Sequence, residues 1–481
     1  MLKIASFAVV GIWVAMLAVL AGRQPAPGPE QAAVPALQLK EDWMGIYLEG
    51  RKIGYAVTRV DRKGAGYGID EEMNVVLTVM GTRQEIHTVT RSSTDESLVL
   101  MDFDFSMKSG LADMEIKGAV DGALLKLDIT TAGRRQRQEL ALRDRPRLTS
   151  GLEMYLLRQG IEVGKKYRMP FFDPATLSEQ YMELTVEEKE EMKLGDRLLP
   201  VYRVREEYAG VTAKSWINPE QGTIKGEGPM GFTFLKETKE QALKKPEEGT
   251  APADIIALVS VPVEKPVPEP RKAVYMKARL TGADFSGIDL SGGRQEFRGG
   301  VVSVTAENLD DDPPAGIPAR DEGLKKYLMP ETFVQSDDPK LREKAREITG
   351  NGKDPLKAAM KLAEWVNRNI EKKPSAGIPS AVEVLGNLSG DCNEHTVLYT
   401  ALARSVGIPA RMAAGIVMLD GRFYYHAWPE VYAGRWISID PTFGQFPADA
   451  THIKFVEGAP DRQVAMLKVV GKLKAEVLEY R

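Results

Sequence analysis

The chain has 481 residues, too many for one ordinary core, so two or three domains are expected. Hydrophobic residues make up 43% and charged residues 27%, the balance of a globular protein with ample material for buried cores. The formal net charge is −4 and no long block of like charge occurs, which leaves no basic footprint for a nucleic acid.

Residues 4–22 form an apolar run without a charge, set between Lys3 and Arg23. Its length is near the ~20 residues that cross a bilayer as a helix. Lys3 and the terminal amine favour a cytoplasmic amino terminus, which puts everything after Gly22 on the outer side. Residues 1–23 are therefore expected to be a signal anchor in the inner membrane, or a signal peptide cut near Val19 and Ala21. A periplasmic or otherwise extracytoplasmic location follows from either. Residues 24–38, rich in Pro, Ala and Gln, read as a stalk.

From residue 39 the pattern turns to strands. Met101-Asp-Phe103-Asp-Phe105-Ser-Met107 alternates apolar and polar, as a half-buried strand does. Further strands are predicted at 75–79, 124–129, 202–205 and 214–217, with hairpin turns at Glu49-Gly50 and Asp121-Gly122. One short helix is expected over 151–158. Residues 39–243 thus read as an antiparallel, mostly β domain. Residues 244–312 combine a proline-rich linker with a small β module, whose strands are predicted at 274–280 and 301–304. The acidic run at 310–312 reads as a solvated loop.

Residues 313–481 change character. Asp338-Pro339 and Asp354-Pro355 are helix starts, each with an Asp cap and Pro at the first helical position, and Gly350 ends the first helix. Leu356, Met360, Ala363, Val366 and Ile370 make one apolar stripe at helical spacing. A third helix is predicted over 392–406, with Val397, Leu398, Ala401 and Leu402 facing inward. Strands follow at 410–419, 423–432 and 436–440, separated by turns at Asp420-Gly421 and Ala433-Gly434. Helices first and an antiparallel meander after them define an α+β domain.

Cys392 is the single cysteine, so it forms no internal disulfide and is either an inert core residue or a working thiol. It falls in the first turn of a predicted helix, where free amides and the positive dipole end would favour a thiolate and lower the thiol pKa. His426 sits mid-strand and Asp440 ends the next strand, so the two can share a face within hydrogen-bond reach. Trp428 shares the face of His426 by alternation and would shield the Cys392–His426 pair from water. Asp391, Glu394 and His395 lie near the thiol in sequence, without an assigned role. His395, one helical turn on, is a rival base with no orienting carboxylate evident. A zinc site from Cys392, His395, His426 and Asp440 has suitable atoms but no paired short-range motif, so no metal is expected. Trp365 reads as a core residue, and His87 and His452 as ordinary histidines without companions.

Gly390-Asp-Cys392-Asn-Glu394-His, followed by Ala401-Leu-Ala-Arg404-Ser-Val-Gly-Ile408-Pro-Ala-Arg411, resembles the nucleophile block of the bacterial transglutaminase-like superfamily. Tyr425-His426-Ala-Trp428-Pro-Glu-Val-Tyr432 resembles its histidine strand, and Trp436-Ile-Ser-Ile-Asp440-Pro-Thr its aspartate strand. The resemblance covers about residues 313–460. It implies a papain-like fold with Cys392, His426 and Asp440 as catalytic triad, no cofactor, and a protein or peptide substrate. The β-rich region, opening with Trp43-Met-Gly-Ile-Tyr-Leu-Glu-Gly, is similar to half-barrel domains attached to exported members. The implied chemistry is attack by the Cys392 thiolate on an amide carbonyl, with backbone N–H groups at the helix start holding the oxyanion. Water or an amine would then resolve the thioester, making a cysteine protease or amidase in the first case and a crosslinking transglutaminase in the second. A non-catalytic binding or assembly module is the alternative, although no triad residue is missing.

Overall fold

A computed structural model describes residues 40–481 apart from 80–81, 110–112, 132–133, 176, 209–210, 246–253, 310–316, 318, 320, 332, 374–379, 459–465 and 467–468. The apolar run at 4–22, the stalk at 24–38 and the acidic run at 310–312 lie outside the described residues. Within them, no helix is long and apolar enough to cross a membrane. The chain divides into two compact units, with the boundary after Ile255.

Among the described residues, the first unit is built on one antiparallel sheet of fourteen strands. Eight of them, from Lys40–Leu48 to Arg134–Ala141, follow one another as a meander. After the helix Leu152–Gln159, six more run from Lys166–Asp173 to Phe232–Lys236, and the last pairs with the first through Gly45↔Leu235 and its neighbours. Alternation drives this region: in Asp113–Asp121, Met114, Ile116 and Gly118 are buried and the intervening residues mostly exposed. Aromatic rings meet within the core, Phe103 with Phe172 at 5.7 Å and Phe171 with Tyr208 at 4.9 Å. Met101 departs from the alternation expected of it and is 53% exposed. The pairing shifts there, with Thr94 opposite Leu100 but Ser93 opposite Asp102, so Met101 falls in a bulge and leaves the buried face.

Among the described residues, the second unit holds a five-stranded, a four-stranded and a two-stranded sheet and a helical layer. A four-stranded sheet takes Tyr275–Thr281, Gln295–Arg298 and Val301–Thr305, and adds Lys474–Tyr480 from the end of the chain beside Tyr275–Thr281. After the short helix Ile255–Val259, the helical layer is built from α1 (Pro339–Thr349), α2 (Pro355–Asn369), α3 (Ala381–Asn387) and α4 (Cys392–Ser405). Asp338 and Asp354 cap α1 and α2 as expected, each accepting from backbone amides two and three residues on. The buried stripe of α2 runs through Ala359, Leu362, Ala363 and Val366, while Met360 lies outside it and is 38% exposed. Helix α4 has no outer face, since every residue from Cys392 to Arg404 is buried. Alpha-helical neighbours surround Val397, Leu398 and Leu402 on one side, and β1 (Ala410–Leu419) and β2 (Arg422–Tyr432) pack on the other. Each fully buried Leu contributes about 1.5–3 kcal/mol, enough to anchor a helix that carries polar residues in its first turns. Beside β1 and β2 lie β3 (Trp436–Ser438) on β2 and β4 (Ile453–Glu457) on β1.

Candidate active site

The start of α4 is set by a reciprocal cap. Asp391 Oδ1 accepts from the Asn393 amide at 2.9 Å, and Glu394 Oε2 accepts from the Asp391 amide at 2.8 Å. Gly390 makes this possible, because a Cβ there would meet Glu394 Cγ at 2.2 Å on a backbone with φ of +155°. Cys392 follows at once and is wholly buried. The Ala427 amide of β2 favours its thiolate, but burial pushes the thiol well above its ordinary range, and Asp391, Glu394 and Asp440 push the same way. The lowered thiol expected from a helix start is thus corrected. Asp391 fills the amides the thiolate would have used and brings a carboxylate beside it. The same cap takes amides expected to serve an oxyanion.

His426 lies on β2 opposite Gly415 of β1. Its Nε2 is 2.9 Å from Asp440 Oδ2, both residues are fully buried, and its Nδ1 has no hydrogen-bond partner. Asp440 sits just beyond β3, where its backbone exchanges two hydrogen bonds with Gln445. Its Oδ1 accepts from the amides of Thr442 at 2.8 Å and Phe443 at 3.0 Å. Burial alone would raise this carboxyl; the charges and hydrogen bonds of His426 and His452 outweigh it and hold Asp440 well below the carboxylate range. An ionised carboxylate only accepts, so the Nε2 of His426 carries the proton and Nδ1 is the free base nitrogen. Burial holds His426 below the usual imidazole value, against the pull of Asp440. Phe443 and Trp428 both stack on His426, with centroids at 5.0 and 6.1 Å, and Trp428 is 1% exposed. Trp428 thus packs on the face of His426 that strand alternation assigns to it.

His395 is held by its own helix, and its Nε2 has no hydrogen-bond partner. Its Nδ1 contacts the Asp391 carbonyl at 2.6 Å, and burial holds it down to about 4, so the ring is neutral. Trp365 packs against the helical core.

His452 overturns its reading as a histidine without companions. Its Nε2 lies 3.0 Å from Asp440 Oδ2, the same oxygen that His426 uses, and its Nδ1 lies 3.1 Å from the Asp449 carbonyl. Arg271, in the segment read as linker, reaches Asp449 Oδ2 at 2.8 Å. No local pattern marks His452: it follows Asp440 by twelve residues across a loop, and only the fold returns it to that carboxylate. Polar atoms of His426, Asp440 and His452 gather within 4.8 Å of one another. Hydrogen bonds hold all three, and no residue is assigned as a metal ligand.

Residues 342–441 match the model of the transglutaminase-like superfamily, which spans Cys392, His426 and Asp440. An uncharacterized protein of Haemophilus influenzae is 31% identical over 98 residues, covering 19% of this chain and 26% of the relative. One of Mycobacterium leprae is 29% identical over 101 residues, covering 18% and 36%. The chain thus spans about a quarter to a third of the length of these curated relatives. A Cytophaga hutchinsonii structure, provisionally assigned as a cysteine protease, is 17% identical with a TM-score of 0.30, covering 43% of this chain and 85% of that one. A β-barrel-like protein of Brucella abortus covers 41% of this chain and 94% of its own at 11% identity and a TM-score of 0.32.

Proposed function

With a transglutaminase-like domain at residues 342–441, we propose that the chain is a cysteine enzyme that opens amide bonds of proteins or peptides through Cys392, His426 and Asp440. The observation that carries this is the polarity of His426: Nε2 is committed to a buried carboxylate and Nδ1 has no partner. With the thiol raised and the imidazole lowered, the resting pair is neutral, and His426 acts as general base rather than as partner of a standing thiolate. Nδ1 takes the thiol proton as sulfur bonds to the carbonyl carbon. The imidazolium then gives that proton to the leaving nitrogen as the C–N bond breaks, leaving a thioester and a free amine. Water adding to the thioester yields the acid and restores the thiol; hydrolysis is the favoured outcome, and an amine in place of water would give a crosslink. The enzyme works at the cell envelope, held by residues 4–22 or released after cleavage there. Carbonate extraction of membranes from expressing cells tests this location, and full recovery in the cytosol overturns it.

The chemistry is tested by intact-mass analysis of the full chain after brief iodoacetamide treatment from pH 5 to 9, with H426A alongside. Burial pushes the thiol up, so alkylation near pH 7 requires proton transfer to His426. Labelling at neutral pH that H426A abolishes supports the reading. A thiol inert throughout, or one that reacts alike without His426, overturns it.

A further inference from the structure

The triad leaves His452 without a task, although it is fully buried and sits on the triad carboxylate. Both its ring nitrogens face acceptors: Asp440 Oδ2 at 3.0 Å from Nε2, and the Asp449 carbonyl at 3.1 Å and Oδ1 at 3.4 Å from Nδ1. A neutral imidazole has one N–H, so both nitrogens are satisfied only when the ring carries two protons and a charge. His426 differs, with one nitrogen on the carboxylate and the other unpartnered. We propose that His452 is a positioning residue that holds Asp440 at the oxygen His426 also uses and sets the charge that His426 sees. This rests on the cysteine-enzyme reading for its consequence, but the charge arrangement can be tested without it.

The groups form an alternating row. Arg271 meets Asp449 at 2.8 Å, Asp449 meets His452, His452 meets Asp440, and Asp440 meets His426 at 2.9 Å. The rings of Trp428 and Phe443 also pack against His452, with centroids at 5.1 and 6.3 Å, and add no charge. Burial works against an imidazolium at His452, but Asp449 and Asp440 outweigh it and raise the ring above its ordinary value. Asp449 itself is held down to about 2, with burial opposed by His452 and Arg271. Asp440 therefore presents His426 with a carboxylate already offset by a neighbouring cation. That favours a neutral His426, the form that can accept the thiol proton. His452 acts on the proton affinity of the base through Asp440 and also directly, with its ring centroid 5.8 Å from that of His426, and Arg271 lowers it in the same sense.

The test is ring ¹⁵N NMR titration of the histidines in the full chain, which has only four, for wild type, H452Q and D449N. H452Q keeps an N–H donor for Asp440 and removes the charge. The His426 midpoint is expected to rise by about half a pH unit or more, roughly a threefold gain in proton affinity, and the acid limb of Cys392 alkylation to move with it. A His426 midpoint unmoved in H452Q overturns the proposal, since a merely structural role would alter yield or melting but not this titration. If H452Q does not fold, D449N leaves the ring in place. It should lower the His452 midpoint and raise that of His426, and midpoints unmoved there overturn the proposal equally. Failure of the enzyme reading is separate: it is read from alkylation that ignores H426A, whatever the titrations show.

Discussion

Among the buried carboxyl groups, Glu71 of one unit and Asp440 of the other behave in opposite ways. Glu71, on the strand Gly66–Val79 of the β-rich unit, is 7% exposed, and its Oε1 has no hydrogen-bond partner. Burial pushes it up to about 7. Asp440 is more deeply buried, yet it is held far below the carboxylate range because two imidazoles and two backbone amides aim at its oxygens. Depth alone does not decide the charge of a buried acid; the donors around it do. A fold that leaves Glu71 alone obtains a protonated acid near neutrality, and one that surrounds Asp440 obtains a fixed anion able to orient a base.

The strongest way to break this contrast is D440N. The amide keeps the shape but loses the charge that fixes the tautomer of His426. Alkylation of Cys392 at pH 7 is expected to fall by about a hundredfold or more, the lower end of what a positioned base contributes. Retained reactivity would show that His426 works without its partner. Stability carries a second mark. The folded pKa of Asp440 lies below its unfolded value, so its stabilisation is present above about pH 4 and is lost as pH falls further through the folded pKa. D440N should lack that acid component in a pH series of melting curves.

The contrast also shows what the amino-acid sequence makes legible. The meeting of His426 and Asp440 was readable because one sits at a strand centre and the other just past the end of the next strand. Asp338 and Asp354 were readable as caps for the same local reason. His452 was not, since its partner is brought to it by a loop and a strand pairing that no nearby residue encodes. The direction of the Cys392 shift was hidden too. The helix dipole is a local property, whereas burial on all sides of α4 is a product of the whole unit. Met101 fell to a bulge, which moves one residue off its face without disturbing the apolar pattern.

E71Q sharpens the comparison from the other unit. The folded pKa of Glu71 is raised, so ionising it costs stability, and the cost grows as pH climbs from the unfolded value near 4.3 to about 7. E71Q should match wild type at pH 4 and exceed it by about 3 kcal/mol at pH 8, read from calorimetric melts across that range. A constant difference between the two proteins would mean that Glu71 has found a partner on ionising. G415A comes next. Its Cβ would meet the Ile453 carbonyl at 1.9 Å, forcing apart β1 and β4 beside His452, at about 1–3 kcal/mol. Gly54 in the β-rich unit faces an equal approach, 1.9 Å from the Asn74 carbonyl. G54A is expected to lose similar stability and to keep Cys392 reactive, whereas G415A should lose both.

The smallest effect isolates charge from shape within one kind of element. Asp354 and Asp391 both cap helices, α2 and α4, and Asn caps about as well as Asp. D354N and D391N should therefore each melt close to wild type. Only D391N removes a carboxylate that raises the thiol of Cys392. Its alkylation profile is expected to shift to lower pH by about half a unit, while that of D354N stays in place. If D391N leaves the profile where it was, desolvation alone sets the thiol, and the cap has no electrical part in it. If the profile moves, the residue that builds the start of α4 also restrains the nucleophile it presents, and the neutral resting pair is maintained partly by the cap itself.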